Sequence, residues 1–264
     1  MSAKWYTCES RGNNVKVLVC DSYETLSKKA AGILAGIVNV KPDAVLGLAT
    51  GSSPVGTYKE LIGLYEAGLL DFSKVRTYNL DEYYPLAPEN DQSYHYFMKV
   101  NLFDHVNIDK ANVHVPDGNA ADMNEACTSY EAMLNEIGGV DIQVLGIGGN
   151  GHIGFNEPCD EFVGPTHVVS LTESTIQANS RFFEKIEDVP TKAISMGIGS
   201  IMKAKKILLV ANGAGKADAI AKTLEGPIVP QVPASILQLR DKPTHILIST
   251  VSAATIEPDY YIQY

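Results

Sequence analysis

Short apolar runs rich in β-branched residues recur along the chain, separated by stretches in which apolar positions return every three or four residues. Runs of the first kind lie at residues 15–19, 45–49, 75–80, 142–147, 193–196, 207–210 and 245–249, which gives a seven-strand reading. Between the first two, Tyr23, Leu26, Ala30, Ile33, Leu34 and Ile37 mark one face of an amphipathic helix, with Ser22 placed to cap it. The same period predicts helices over 57–67, closed by Gly68, over 120–137, closed by Gly138 and Gly139, and over 217–224. Strand and helix alternate from near the start to near the end, the order that builds a parallel sheet covered by helices on both faces. Irregular stretches at 84–93 and 158–166 come after two strand ends, where open parallel sheets place their ligand loops.

Composition changes little in this picture. With 264 residues, 45% of them hydrophobic and 20% charged, the chain can bury a core without staples. No repeat, low-complexity tract or linker divides it, so residues 1–264 are read as one domain. The formal charge of −10 argues against nucleic acid or an anionic membrane as partner, and any anionic ligand must be held by a local cluster of donors. No apolar run approaches the 18 or so residues of a membrane span, and residues 1–14 lack the order of a secretory signal, so a cytoplasmic location is expected. Cys8, Cys20, Cys127 and Cys159 show no metal-ligand spacing and read as reduced thiols.

Four strand ends carry chemistry. Thr50-Gly51-Ser52-Ser53-Pro54 combines a turn-permitting glycine, three hydroxyls and a proline suited to a first helical turn. That makes either an anion cradle at a helix N-terminus or an ordinary Ser/Thr cap. Asp81 and Glu82 are either a positioned proton acceptor (Asp81 being the candidate base) or solvated loop charges, or a cap for the segment after them. The run Gly146 to Pro158 holds five glycines in nine residues, together with His152 and Glu157, a near-neutral titrating group and a carboxylate able to orient it. A dinucleotide fingerprint at Gly146, Gly148 and Gly151 is disfavoured, because His152 and Pro158 crowd the helix start that would hold a pyrophosphate. Asn212-Gly213-Ala214-Gly215-Lys216 is a truncated phosphate loop whose lysine can neutralise an anion or stand on the surface.

Taken in series, 50–54, 79–83, 149–158 and the segment Ala178-Asn179-Ser180-Arg181-Phe182-Phe183 resemble the glucosamine-6-phosphate deaminases of the glucosamine/galactosamine-6-phosphate isomerase family, in order and at family-like separations. The resemblance implies a Rossmann-like three-layer α/β/α sandwich with a mostly parallel central sheet, like that of ribose-5-phosphate isomerase and the CoA transferases. It also implies conversion of D-glucosamine 6-phosphate and water to D-fructose 6-phosphate and ammonium, with no cofactor and no metal. By match to the family's motifs, His152 opens the sugar ring with Glu157 and Asn150 completing its triad. Asp81 moves a proton from C2 to C1 through an enolamine, and Thr50, Gly51, Ser52, Ser53, Arg181 and Lys216 hold the phosphate.

Two departures qualify the resemblance. Some members carry Asp where this chain has Asn150, so the triad here has one carboxylate fewer. In allosteric hexameric members, Ser, Arg and Lys residues after Asn-Glu-Pro grip an activator phosphate, whereas this chain has Asp160, Glu161, His167 and Val169. An acidic, lysine-free stretch repels a phosphate, so an absent activator site and a monomer or small homo-oligomer are expected. Among rivals, 6-phosphogluconolactonases lack the Asn156-Glu157-Pro158 ending, and a sugar-phosphate-sensing repressor would need a DNA-reading domain and a basic patch.

Overall fold

In a computed structural model of the chain, residues 4–8, 14–180, 183–255 and 261–263 are described. The elements run β1 (Lys4–Cys8), β2 (Val15–Cys20), α1 (Tyr23–Val40), β3 (Val45–Leu48), α2 (Ser52–Glu66), β4 (Arg76–Asn79), β5 (Asp81–Tyr84), α3 (Tyr94–Asn101), β6 (Val113–His114) and α4 (Met123–Glu136). They continue with β7 (Ile142–Leu145), β8 (His167–Ser170), α5 (Glu173–Asn179), β9 (Lys192–Ser195), α6 (Ile198–Lys203), β10 (Ile207–Ala211), α7 (Ala217–Leu224), β11 (Thr244–Ser249) and β12 (Tyr261–Gln263).

The central sheet has the order β12-β1-β2-β11-β10-β7-β3-β4-β6. Every pairing from β2 to β6 is parallel, and only β1 and β12 run antiparallel to their neighbours. Strands β3, β7 and β10 are buried at every position. Helices covering both faces of a parallel sheet require this, and it is why β3 and β10 read as continuous apolar runs and β7 as one broken only by the buried Gln143, none of them alternating. Helix α1 begins where Ser22 Oγ accepts from Thr25 N at 3.1 Å, and it turns Leu26, Ala30, Leu34 and Val38 into the core.

Six of the seven predicted strands lie in this sheet. The seventh, expected at 193–196, forms β9 in a separate three-stranded sheet of order β5-β9-β8, all antiparallel. Its pattern could not show this, because a short apolar run reads alike in either sheet. Helix α2 begins at Ser52, five residues before the predicted start, since Ser52, Ser53 and Pro54 already lie in the first turn.

The two sheets meet at one residue. Leu80 N continues the β3–β4 ladder by donating to Leu48 O at 3.1 Å, while Leu80 O accepts from Met196 N at 2.7 Å beside β9. The next residue, Asp81, opens β5 opposite Ser195. From β3 the chain moves outward to β4 and β6, then returns across β3 to β7 and proceeds through β10 and β11. The order therefore reverses between β3 and β7, and a doubly wound sheet has its ligand crevice at such a switch point.

Candidate active site

The four chemical segments come directly after β3, β4, β7 and β10, which are consecutive neighbours in the sheet and point the same way. Their C-terminal ends open into a cavity of about 780 Å³. Thr50 to Ser53, Asp81, Asn150, His152 and Lys216 line it. Glu157 stands one step back, against the His152 ring. Arg181 lies outside the described residues.

The first segment turns at Gly51, whose φ of +88° is one a side chain rarely tolerates. No side chain caps the first turn of α2, which removes the ordinary-cap reading. The loop is braced from behind by two tyrosines. Tyr58 donates to Ala49 O at 2.5 Å and accepts from Ala49 N at 3.2 Å. Tyr23 accepts from Gly56 N at 2.8 Å and lies within reach of Ser52 O and Ser53 O.

The paired carboxyls of the second segment take different roles. Glu82 is a cap: its oxygens accept from Tyr83 N at 2.9 Å, Tyr94 N at 2.8 Å and His95 N at 2.8 Å, the latter two at the start of α3. Asp81, 6% exposed, faces the cavity. Burial, reinforced by the neighbouring Glu82, pushes its carboxyl up to about 8. Burial raises Glu82 as well, but the three N–H donors oppose this, so Glu82 holds charge first and Asp81 is displaced further. Neither carboxyl is a solvated loop charge.

In the third segment, Glu157 Oε1 lies 3.3 Å from His152 Nδ1, and Oε2 accepts from Asn150 Nδ2 at 2.7 Å. Asn150 Oδ1 accepts from His152 N at 3.2 Å, closing the turn. Burial acts to raise the Glu157 carboxyl, but His152, Thr175 and Asn150 outweigh it and hold it at about 2. The His152 ring packs on bare backbone at Gly148, where an added Cβ would stand 2.3 Å from His152 Cε1. Gly148 is thus required by the close approach of the His152 ring. In the fourth segment Lys216 is half-buried at the start of α7, and burial lowers its pKa.

Several contributors carried no sequence signal. Thr175 donates to Glu157 Oε1 at 2.7 Å from α5, and Ser195 Oγ accepts from Phe155 N at 3.1 Å beside Asp81. Tyr83, Tyr94, Phe155 and Phe183 build an aromatic wall, with ring centroids 4.8 Å (Tyr83–Tyr94) to 6.0 Å (Tyr83–Phe183) apart. Pairing of β5 with β9 sets Ser195 opposite Asp81, and the docking of α5 brings Thr175 to Glu157. Among the described residues no group of three or more His, Cys, Asp and Glu side chains could hold a metal, and no helix is long and apolar enough to cross a membrane.

Fold and cavity together define a doubly wound α/β protein whose switch-point cavity is lined by a buried carboxyl, Asp81, and by the imidazole of a His152–Glu157 pair. The chain belongs to the family described as glucosamine-6-phosphate isomerases/6-phosphogluconolactonase, which it matches over residues 21–246. It is 56% identical to a glucosamine-6-phosphate deaminase of Clostridioides difficile over 94% of this chain and 99% of the relative. It is 60% identical to one of Lachnoclostridium phytofermentans over 85% and 95%. A solved monomeric glucosamine-6-phosphate deaminase superposes with a TM-score of 0.88 at 46% identity, over 90% of this chain and 99% of that one. The 6-phosphogluconolactonase of Trypanosoma brucei shares the fold, with a TM-score of 0.70 at 17% identity over 91% and 98%.

Proposed function

We propose that this chain converts D-glucosamine 6-phosphate and water to D-fructose 6-phosphate and ammonium. The observation that carries this reading is that Asp81 and the His152–Glu157 pair line or abut one cavity whose rim carries the Thr50–Ser53 loop and Lys216. Relatives named glucosamine-6-phosphate deaminase, 56% and 60% identical to this chain, support it.

The phosphate rests on Thr50, Gly51, Ser52, Ser53, Arg181 and Lys216, where backbone N–H groups at the start of α2 and two cations offset its charge. His152, steadied by Glu157 and Asn150, takes the C1 hydroxyl proton and returns a proton to the ring oxygen; the C1–O bond breaks and an aldehyde forms. Asp81 removes the C2 proton and delivers it to C1 through an enolamine. Water adds to the resulting imine at C2, and ammonium leaves. The reaction is internally redox-balanced and draws on no cofactor.

A carboxyl near 8 is mostly protonated at pH 7 in the free cavity. The ammonium of an entering amino sugar favours the anion, so substrate arrival creates the base, and a pKa near the working pH lets one group both take and return a proton. Residues 1–264 act as one catalytic unit, a monomer or small homo-oligomer, in the cytoplasm where phosphorylated sugars are retained. The monomeric deaminase of the same architecture supports the smaller assembly. Ammonium release from glucosamine 6-phosphate tests the reading. Asp81→Asn and His152→Gln should each lower turnover about 100-fold or more; wild-type protein that releases no ammonium would sink it.

A further inference from the structure

One hydroxyl at the site comes from none of the four strand ends. Thr175 lies in the first turn of α5, where Thr172 Oγ1 donates to Thr175 Oγ1 at 3.0 Å and accepts from Thr175 N at 3.3 Å. Thr175 Oγ1 in turn donates to Glu157 Oε1 at 2.7 Å, the same oxygen that faces His152 Nδ1 at 3.3 Å. The other oxygen accepts from Asn150.

Glu157 is 9% exposed and stands at the end of a glycine-rich loop. Its backbone N–H is committed to Phe155 O, so the orientation of its carboxylate rests on the side chains around it. Without the Thr175 hydroxyl, Oε1 would keep, among the described residues, only the imidazole 3.3 Å away that it has to orient. Asn150 would then draw the carboxylate plane toward itself and away from His152. A hydroxyl that accepts one hydrogen bond while donating another is the stronger donor for it. Helix α5 is fixed independently, since Ile176 packs against the aromatic cluster of Tyr83 and Phe155.

We infer that Thr175 is a positioning residue for ring opening: through Glu157 Oε1 it fixes the rotation of the carboxylate that aims the His152 imidazole. It does not serve the C2 proton transfer at Asp81. The inference rests on the deaminase reading above. It makes Thr175 necessary to one chemical step and indifferent to phosphate binding.

The test is Thr175→Val, which keeps shape and removes the hydroxyl, beside Thr175→Ser, which restores it. Ammonium release is measured with glucosamine 6-phosphate and with its C2-deuterated form. Binding of the acyclic alditol 2-amino-2-deoxyglucitol 6-phosphate reports an intact fold and phosphate site. The expected result for Thr175→Val is a fall in kcat/KM of about tenfold, the order seen when a group orienting a functional side chain is removed. The C2 isotope effect should lie at, or move toward, unity, because ring opening then limits the rate. Alditol binding should stay within twofold of wild type, and Thr175→Ser should recover most of the activity. The inference is overturned by an unchanged kcat/KM, by a fall with an isotope effect that remains above unity at its wild-type value or grows, or by loss of alditol binding. A wild-type protein inert toward glucosamine 6-phosphate would instead remove the deaminase reading itself.

Discussion

Replacing Asp81 by Asn should stabilise the protein while disabling it, and the gain should depend on pH. A buried carboxyl at about 8 binds a proton in the folded chain that the unfolded chain, at its ordinary 3.8, has released by neutral pH. Between those two values the folded state holds more protons, so stability falls as pH rises from about 4 toward 8 and levels off beyond. At pH 7 the displacement spans about three units, and at about 1.4 kcal/mol per unit this is about 4 kcal/mol. Asp81 borders a cavity that water can enter, so about half of that, ~2 kcal/mol, is the expected cost. Asn has nearly the same shape and no charge to desolvate. Its advantage should be close to zero at pH 4.5 and reach roughly 4–8 °C in Tm by pH 8, for a chain of this size. Thermal unfolding of both proteins across that range, without ligand, measures it. A Tm difference independent of pH, or a wild type more stable than Asp81→Asn at pH 8, would refute the argument that Asp81 is held neutral by its surroundings.

Gly148→Ala should leave Tm nearly unchanged and cut turnover about 100-fold, because the new Cβ displaces the tip of His152, and small misplacements of a catalytic group cost about that much; activity within threefold of wild type would contradict the packing argument. Asn150→Asp puts a second carboxylate where a donor now meets Glu157 at 2.7 Å. The two must share a proton, so activity should persist with the acidic limb of the pH–rate profile moved to higher pH; an unmoved limb would remove Asn150 from the triad. Substrate saturation should be hyperbolic and indifferent to N-acetylglucosamine 6-phosphate. At the end of the acidic loop, Thr166 N, Thr166 Oγ1 and Ser200 Oγ already bind the Glu131 carboxylate at 2.6 to 2.9 Å. Sigmoidal curves that this sugar converts to hyperbolas would show an activator site after all.

Much of this protein is written locally. The buried strands β3 and β10 announce themselves because a sheet covered on both faces demands continuous apolar sequence, β7 nearly so with Gln143 its one polar residue, and α1 because its buried stripe repeats every three to four residues. Clustered glycines around His152 were legible for a similar reason, since a ring resting on backbone permits no side chain at Gly148. Which reading of an ambiguous segment holds was not legible. Asp81 and Glu82 are adjacent carboxyls with the same local context, and only the arrival of α3 over one and the cavity beside the other makes a cap of Glu82 and leaves Asp81 facing the cavity. Likewise β9 has an ordinary strand's pattern, and Thr175 an ordinary helix-start residue's. The antiparallel pairing of β9 with β5, and the docking of α5 against Glu157, join residues more than a hundred and about eighteen positions apart. Sequence periodicity reports how each segment meets its immediate layer; partners brought together by the reversal of strand order are set by the packing of the whole sheet, and no local pattern encodes them.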